Sequence, residues 1–186
     1  MQGLFWVIPT FCVARISDNV QLCMVSSQYN MKKAFHLVLF IAIAQAAGII
    51  GAYFTADAIP TWYAGLEKPF FNPPSWVFGP VWTTLYTLMG TASYFVWQKR
   101  FTLTNAARGM QWYWIQLGLN AIWSPVFFGL KSLSLALAII IALWVAILLT
   151  MREFWKMDWR LGAALLPYLA WVSFATLLNY SLWRLN

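Results

Sequence analysis

Five stretches without Asp, Glu, Lys or Arg divide this chain: residues 34–56, 69–98, 109–130, 132–151 and 161–183. They are 23, 30, 22, 20 and 23 residues long. A helix rises 1.5 Å per residue, so about 20 apolar residues cross the roughly 30 Å hydrocarbon layer of a bilayer. Each gap can therefore hold one membrane span. The run from Leu135 to Leu149 is apolar without a break, whereas a membrane β-strand would alternate apolar and polar residues. The spans are therefore helices. The second gap is longest because Pro69, Pro73 and Pro74 fall in its first six residues. That spacing makes its beginning an extended loop. The expected spans are 34–56, 77–98, 110–130, 133–151 and 161–183. The expected fold class is an all-α integral membrane protein, a bundle of five transmembrane helices.

Composition points the same way. Of the residues, 62% are apolar and only 9% charged, against about 25% charged in an ordinary soluble domain. So few charges exclude a single soluble domain and a disordered chain. They also exclude a disulfide-rich secreted module. Lys and Arg are unevenly shared between the two membrane sides. Arg15, Lys32, Lys33, Lys99, Arg100, Arg108, Arg152, Lys156 and Arg160 fall on one side, and Lys68, Lys131 and Arg184 on the other. In a bacterial inner membrane this bias puts the N-terminus in the cytoplasm. The partner it implies is the bilayer, and no nucleic acid is expected.

Residues 1–30 do not continue the pattern. They hold both cysteines, Cys12 and Cys23, with Arg15 and Asp18 in a moderately apolar stretch. They lack the basic start and small-residue cleavage site of a secretory signal. Met31-Lys-Lys-Ala-Phe-His36 reads as an ordinary membrane-protein start. The expected division is an N-terminal extension at 1–30, either a mis-called start or a loose leader, and a membrane domain at 31–186. The alternative for the extension is an interfacial helix.

Conventional catalytic machinery is missing from the sequence. His36 is the lone histidine, beside Lys32 and Lys33 at the start of the first span, and reads as an interfacial residue. No Cys/His cluster, metal-ligand spacing or Gly-rich phosphate loop occurs. The five acidic residues fall outside the expected spans, which argues against a proton- or ion-coupled pump. No catalytic residue, metal or obligatory cofactor is expected.

Aromatic and small residues carry the remaining signal. Thirteen Trp are several times what a chain of this length usually holds, which points to an aromatic-lined interior or a heavy interfacial belt. Trp82 and Tyr86 lie four apart on one face of the second span, and Asn120 and Trp123 three apart on the third. Trp171, Ala175 and Asn179 follow at four-residue steps on the fifth. These residues could wall a pocket in the outer half of the bundle, with Trp62, Tyr63 and Trp76 in the loop above. The plainer readings are interfacial anchoring and helix packing, with Asn120 and Asn179 as interhelical hydrogen-bond partners. Ala44, Gly48 and Ala52, then Ala47 and Gly51, and Ala138, Ala142 and Ala146 form small-residue rows. They serve packing within the bundle or a homodimer contact.

Three segments resemble one family. Trp62-Tyr-Ala-Gly-Leu-Glu-Lys-Pro-Phe-Phe-Asn-Pro-Pro-Ser-Trp-Val-Phe-Gly-Pro-Val-Trp-Thr-Thr-Leu-Tyr86 is similar to the signature stretch of the TspO/translocator protein family, the tryptophan-rich sensory proteins. Leu119-Asn-Ala-Ile-Trp-Ser-Pro-Val-Phe-Phe-Gly129 resembles the family's third span. Pro167-Tyr-Leu-Ala-Trp-Val-Ser-Phe-Ala-Thr-Leu-Leu-Asn179 resembles its fifth. The resemblance covers about residues 33–186 and leaves the first thirty outside.

The resemblance implies a five-helix bundle, often a homodimer, with a pocket under the loop between spans one and two. It implies porphyrin ligands such as protoporphyrin IX, and in some members haem, sterols and benzodiazepine-type drugs. By position, Trp82 and Trp171 match family pocket tryptophans. Tyr63, Tyr86, Asn120, Trp123, Ala175 and Leu178 match pocket or pocket-lining positions. Leu135 stands where animal members carry a Trp, so the resemblance does not by itself imply animal-type drug affinity. Leu178, Tyr180 and Arg184 fit a weak sterol pattern, although Tyr and Arg at a helix end are also plain interfacial anchors. The expected function is tetrapyrrole binding for sensing, transport or homeostasis, with Lys68 the only cation near the propionates. The alternatives are light- and oxygen-dependent porphyrin breakdown and uncoupled transport of lipophilic ligands.

Overall fold

The computed structural model describes the backbone of residues 19–186, and the side chains from Asn30 onward apart from Thr104. Cys12, Cys23, Arg15 and Asp18 have side chains outside the described residues, as does most of the extension at 1–30. Six helices follow in order: α1 (Asn19–Ala58), α2 (Phe78–Gln98), α3 (Thr104–Ser124), α4 (Leu133–Met157), α5 (Trp159–Ala163) and α6 (Leu166–Leu185). The described part of the extension, residues 19–30, is helical, as the first turns of α1.

The chain divides into two compact units at His36 and Leu37. In the first, the ring of His36 donates from Nδ1 to the Lys32 carbonyl at 2.6 Å and meets Phe35 edge-on. The second unit comprises residues 37–186.

Its helices form five spans, because α5 and α6 together make one. Pro167 in the first turn of α6 has no N–H to donate, and the helix is interrupted at Ala164 and Leu165. Asp158 is extended, and its side chain accepts from the backbone N–H of Arg160, capping α5. By length and apolar content, Asn30–Ala58, Leu133–Met157 and Trp159–Leu185 stand out as membrane-crossing helices. The helices α2 and α3 are richer in Tyr, Trp, Thr, Gln, Asn and Gly, because they spend much of their surface on the interior.

Several helix boundaries differ from those expected, α1 beginning already at Asn19. The third span begins six residues earlier, at Thr104 instead of 110, and α3 ends at Ser124. From Pro125 to Gly129 the backbone widens into a π-turn. Pro125 has no N–H to donate, and Leu130 N–H passes over Val126 O to reach Pro125 O, five residues back. Lys131, with φ of 53°, then takes the left-handed conformation that reverses the chain into α4. The fourth span runs on to Met157, so Glu153 lies within α4. Glu153 is buried, and its Oε1 pairs with Lys156 Nζ at 2.7 Å. The expectation that every acidic residue lies outside the span-forming helices fails here and at Asp57, in the last turn of α1. The charge-free gap stops at Arg152, whereas the helix does not.

The helix α4 is central, packing against α3, α5 and α6. Ala136, Ile140, Leu143, Ile147, Met151 and Phe154 form its buried stripe, and Leu135, Ile141, Val145 and Leu148 face outward. Lipid tails are as apolar as the side chains they would displace, so close packing and hydrogen bonds hold such helices together. Glycines supply the closest approaches. A Cβ at Gly90 would lie 2.6 Å from the backbone Cα of Ile41 on α1. A Cβ at Gly48 would enter the ring of Tyr86, and one at Gly51 would touch Ser124. The small-residue row of α1 therefore serves packing within the bundle at these positions.

Gly90 should tolerate no side chain, since a helix backbone cannot move aside cheaply. Gly90→Ala is expected to lower stability in detergent by about 1–3 kcal/mol. Gly118→Ala, where nothing lies within 4 Å, should be neutral or stabilising by up to about 1 kcal/mol. Thermal melts of the two variants side by side check this contrast.

Candidate functional site: an aromatic cavity between the helices

A cavity of about 480 Å³ lies where α1, α2, α3, α4 and α6 converge. It is built from glycines outward. Gly48 leaves room for the Tyr86 ring, which stacks on Trp82 with centroids 5.4 Å apart and planes at 27°. Trp82 in turn meets Tyr168 edge-on. Trp123 stacks on Phe127 at 4.9 Å, and Trp171 is held between Phe78 and Phe174. The walls are indole and phenol rings braced by further rings from behind.

A line of buried hydrogen bonds fixes those walls. Tyr86 OH donates to Asn120 Oδ1. Asn120 Nδ2 donates to Tyr168 OH at 3.0 Å, and Tyr168 OH donates to Gln116 Oε1 at 2.9 Å. Gln116 Nε2 ends the line at Met89 Sδ, 3.8 Å away. Four side chains from three helices satisfy one another with no charge, as a water-free interior requires. At the α1–α2 boundary, Gln45 Nε2 donates to Thr83 O and Thr87 Oγ1.

The cavity surface is nearly without free polar groups. Thr55 and Thr83 donate back to Gly51 O and Gly79 O of their own helices. The Nε1 atoms of Trp123 and Trp171 are buried without an acceptor. No charged residue lines the cavity. Among the described residues, no group of three or more His, Cys, Asp or Glu stands together. Such a space suits a large, flat, apolar molecule held by stacking and area. It offers no nucleophile–base pair.

Of the residues singled out in the sequence, Trp82, Tyr86, Asn120, Trp123, Trp171 and Ala175 all line this cavity. Tyr63 and Leu178 do not. They belong to a separate buried cluster with Val126, Phe127, Ala136 and Leu182, under the loop that joins α1 to α2. Tyr63 OH donates to Asn72 Oδ1 at 2.6 Å, and burial pushes its pKa up to about 12, so it stays a donor. Lys68 Nζ donates to Ala64 O and Leu66 O and lies 5.1 Å from the Tyr63 ring centre. This cation braces the loop. Leu178 is buried while Tyr180 is 47% exposed, so the sterol-pattern residues Leu178, Tyr180 and Arg184 do not share one environment. Asn179 serves packing: with its amide turned to satisfy both groups, it donates to Leu133 O and accepts from Leu137 N on α4.

Sequence reasoning missed Gln116 and Tyr168. The signal was present, since Gln116 lies one turn before Asn120 and Tyr168 one turn before Trp171, each a polar residue deep inside an apolar helix.

Removing the central amide should unravel the line. Asn120→Leu leaves the hydroxyls of Tyr86 and Tyr168 short of a partner, and is expected to destabilise the fold by about 1–3 kcal/mol. The double variant with Tyr86→Phe should cost less than the sum of the two single changes. Thermal unfolding of the singles and the double, in one detergent, measures that coupling.

The TspO/MBR family pattern matches residues 40–184. The chain is 45% identical over 150 residues to a tryptophan-rich protein TspO from Archaeoglobus fulgidus, covering 81% of this chain and 96% of that one. It is 40% identical over 157 residues to a tryptophan-rich sensory protein from Cereibacter sphaeroides, covering 84% and 94%. It is 41% identical over 138 residues to the human translocator protein, covering 74% and 82%.

Proposed function

Since this integral membrane protein belongs to the TspO/MBR family, we propose that its cavity binds a tetrapyrrole such as protoporphyrin IX and that it acts in tetrapyrrole sensing, transport or homeostasis. The observation that carries this reading is the uncharged, ring-walled cavity with Trp82 and Trp171 among its lining residues. A macrocycle offers two large faces for such rings, and aromatic pairs add about 0.5–1.5 kcal/mol beyond buried area. Its propionates stay outside the cavity, because no cation lines it and Lys68 is engaged by the loop.

The cavity's exposed rim favours uptake from the bilayer. Ile49, Ala52 and Ala56 of α1 and Gly79 and Thr83 of α2 line the cavity and are also exposed. Ile49 lies nine residues before the end of α1 at Ala58, which is about 14 Å of helix. A mouth at that depth faces lipid chains. The charge bias of the loops supports a cytoplasmic N-terminus in a bacterial inner membrane, with the mouth toward the outer leaflet. The nearness of indoles to a bound photosensitiser favours a second reading, light- and oxygen-dependent breakdown of the porphyrin.

Titration of the full chain with protoporphyrin IX in detergent, in the dark and then under light, tests both readings. Saturable tryptophan quenching with an unchanged porphyrin spectrum is expected in the dark. Trp171→Ala should weaken binding about tenfold or more without loss of helicity. Unchanged affinity in that folded variant would remove Trp171 from the site. New absorbance bands that need both light and Trp82 or Trp171 would favour the photochemical reading.

A further inference from the structure

We propose that the end of the bundle opposite the cavity is a binding surface for the phosphate headgroups of anionic phospholipid. Two segments remote in sequence, residues 99–108 and 152–160, meet there, because α3 packs on α4 and α5 packs on both α4 and α2. Together they bring six cations and two acids. Both acids are turned to internal use. Glu153 is 4% exposed and paired with Lys156, and Asp158 caps α5. The balance of charge shown to the surroundings is therefore positive.

Its arrangement suits a phosphate. Gly109 packs directly on Phe154 and Glu153, so Arg108 and Arg152 stand beside the same α3–α4 contact. Both are exposed, and neither has an ion-pair partner among the described residues. A guanidinium presents a planar fork of donors that matches the paired oxygens of a phosphate. Lys99 and Arg160 extend the patch, and Arg160 lies against the ring of Trp159.

Depth selects lipid over a free anion as the partner. Phe101 is 85% exposed, Trp159 60% and Trp155 48%, all on the same two segments. Exposed aromatic rings settle at the boundary between chains and headgroups. They place the guanidinium groups beside them at the level of the lipid phosphates, where each cation favours an anionic surface by roughly fivefold.

The test uses the full chain in nanodiscs of phosphatidylcholine mixed with phosphatidylglycerol. The lipids that stay bound after release of the belt are counted by native mass spectrometry. Phosphatidylglycerol should be enriched over its bulk share at low salt, and the enrichment should fade at high salt. The double variant Arg108→Gln/Arg152→Gln should lose most of it, whereas Lys131→Gln/Arg184→Gln, at the cavity end, should keep it. Equal retention of the two lipids by the unaltered protein would overturn the proposal, whatever the variants do. So would a folded Arg108→Gln/Arg152→Gln protein that retains the enrichment. Displacement of the bound phosphatidylglycerol by millimolar inorganic phosphate would also overturn it, by showing a site for a free anion.

Discussion

The carboxamide of Asn120 holds the interior together. It accepts from Tyr86 on α2, donates to Tyr168 on α6, and through Tyr168 engages Gln116 one turn away on its own helix. Inside a bilayer no water can replace these partners, so each group constrains the position of the next. The ring of Tyr86 can reach Asn120 because Gly48 on α1 leaves it room. A glycine, a tyrosine and an asparagine thereby register three helices and set the rear wall of the cavity. The aromatic rings in front then pack on a frame that is already fixed.

Much of this was legible in the sequence, since the bilayer imposes a length and a polarity that show directly in residue order. The five gaps in charge locate five spans, and the helical steps from Trp82 to Tyr86 and from Trp171 to Ala175 fall on the cavity. Where charge and helix part company, the gaps misplace the ends: α3 starts within the charged segment, and α4 carries Arg152 and Glu153 past the expected boundary. Pairings between helices were not legible. Nothing in the order of residues says that Tyr168 sits between Asn120 and Gln116, or that Tyr63 bonds to Asn72 rather than lining the cavity. Those facts depend on helix rotation and on the loop's own packing, which a single chain's periodicity leaves open.

The few charges show a division of labour. Lys68 closes its own loop, Asp158 caps a short helix, and Glu153 is neutralised by Lys156. At the cavity end the interior is left without charge, and at the other end the balance of charge is positive. The bundle therefore presents two chemically distinct environments to the same membrane. One is an apolar recess among the chains, and the other a cationic rim at the headgroups.

An uncharged cavity also limits how its occupant can be held. With Thr55 and Thr83 turned to their own helices, Tyr86 bonded to Asn120 and Gln45 to α2, affinity must come from area and ring stacking. The ligand's polar groups must then remain in the mouth or beyond it. The position of that mouth follows from how α1 and α2 are joined. They touch backbone to backbone at Gly90 and Ile41, and one turn further along Gln45 clasps Thr83 and Thr87. Beyond that clasp the two helices line the cavity from Gly48 to Thr55 and from Tyr86 back to Phe78, with exposed residues on both sides. Fastened at one end, the pair leaves the opening at the other, on the side of the hydrocarbon chains. Entry from the bilayer then requires the ligand to shed no water, and the protein supplies only a better-fitting apolar surface.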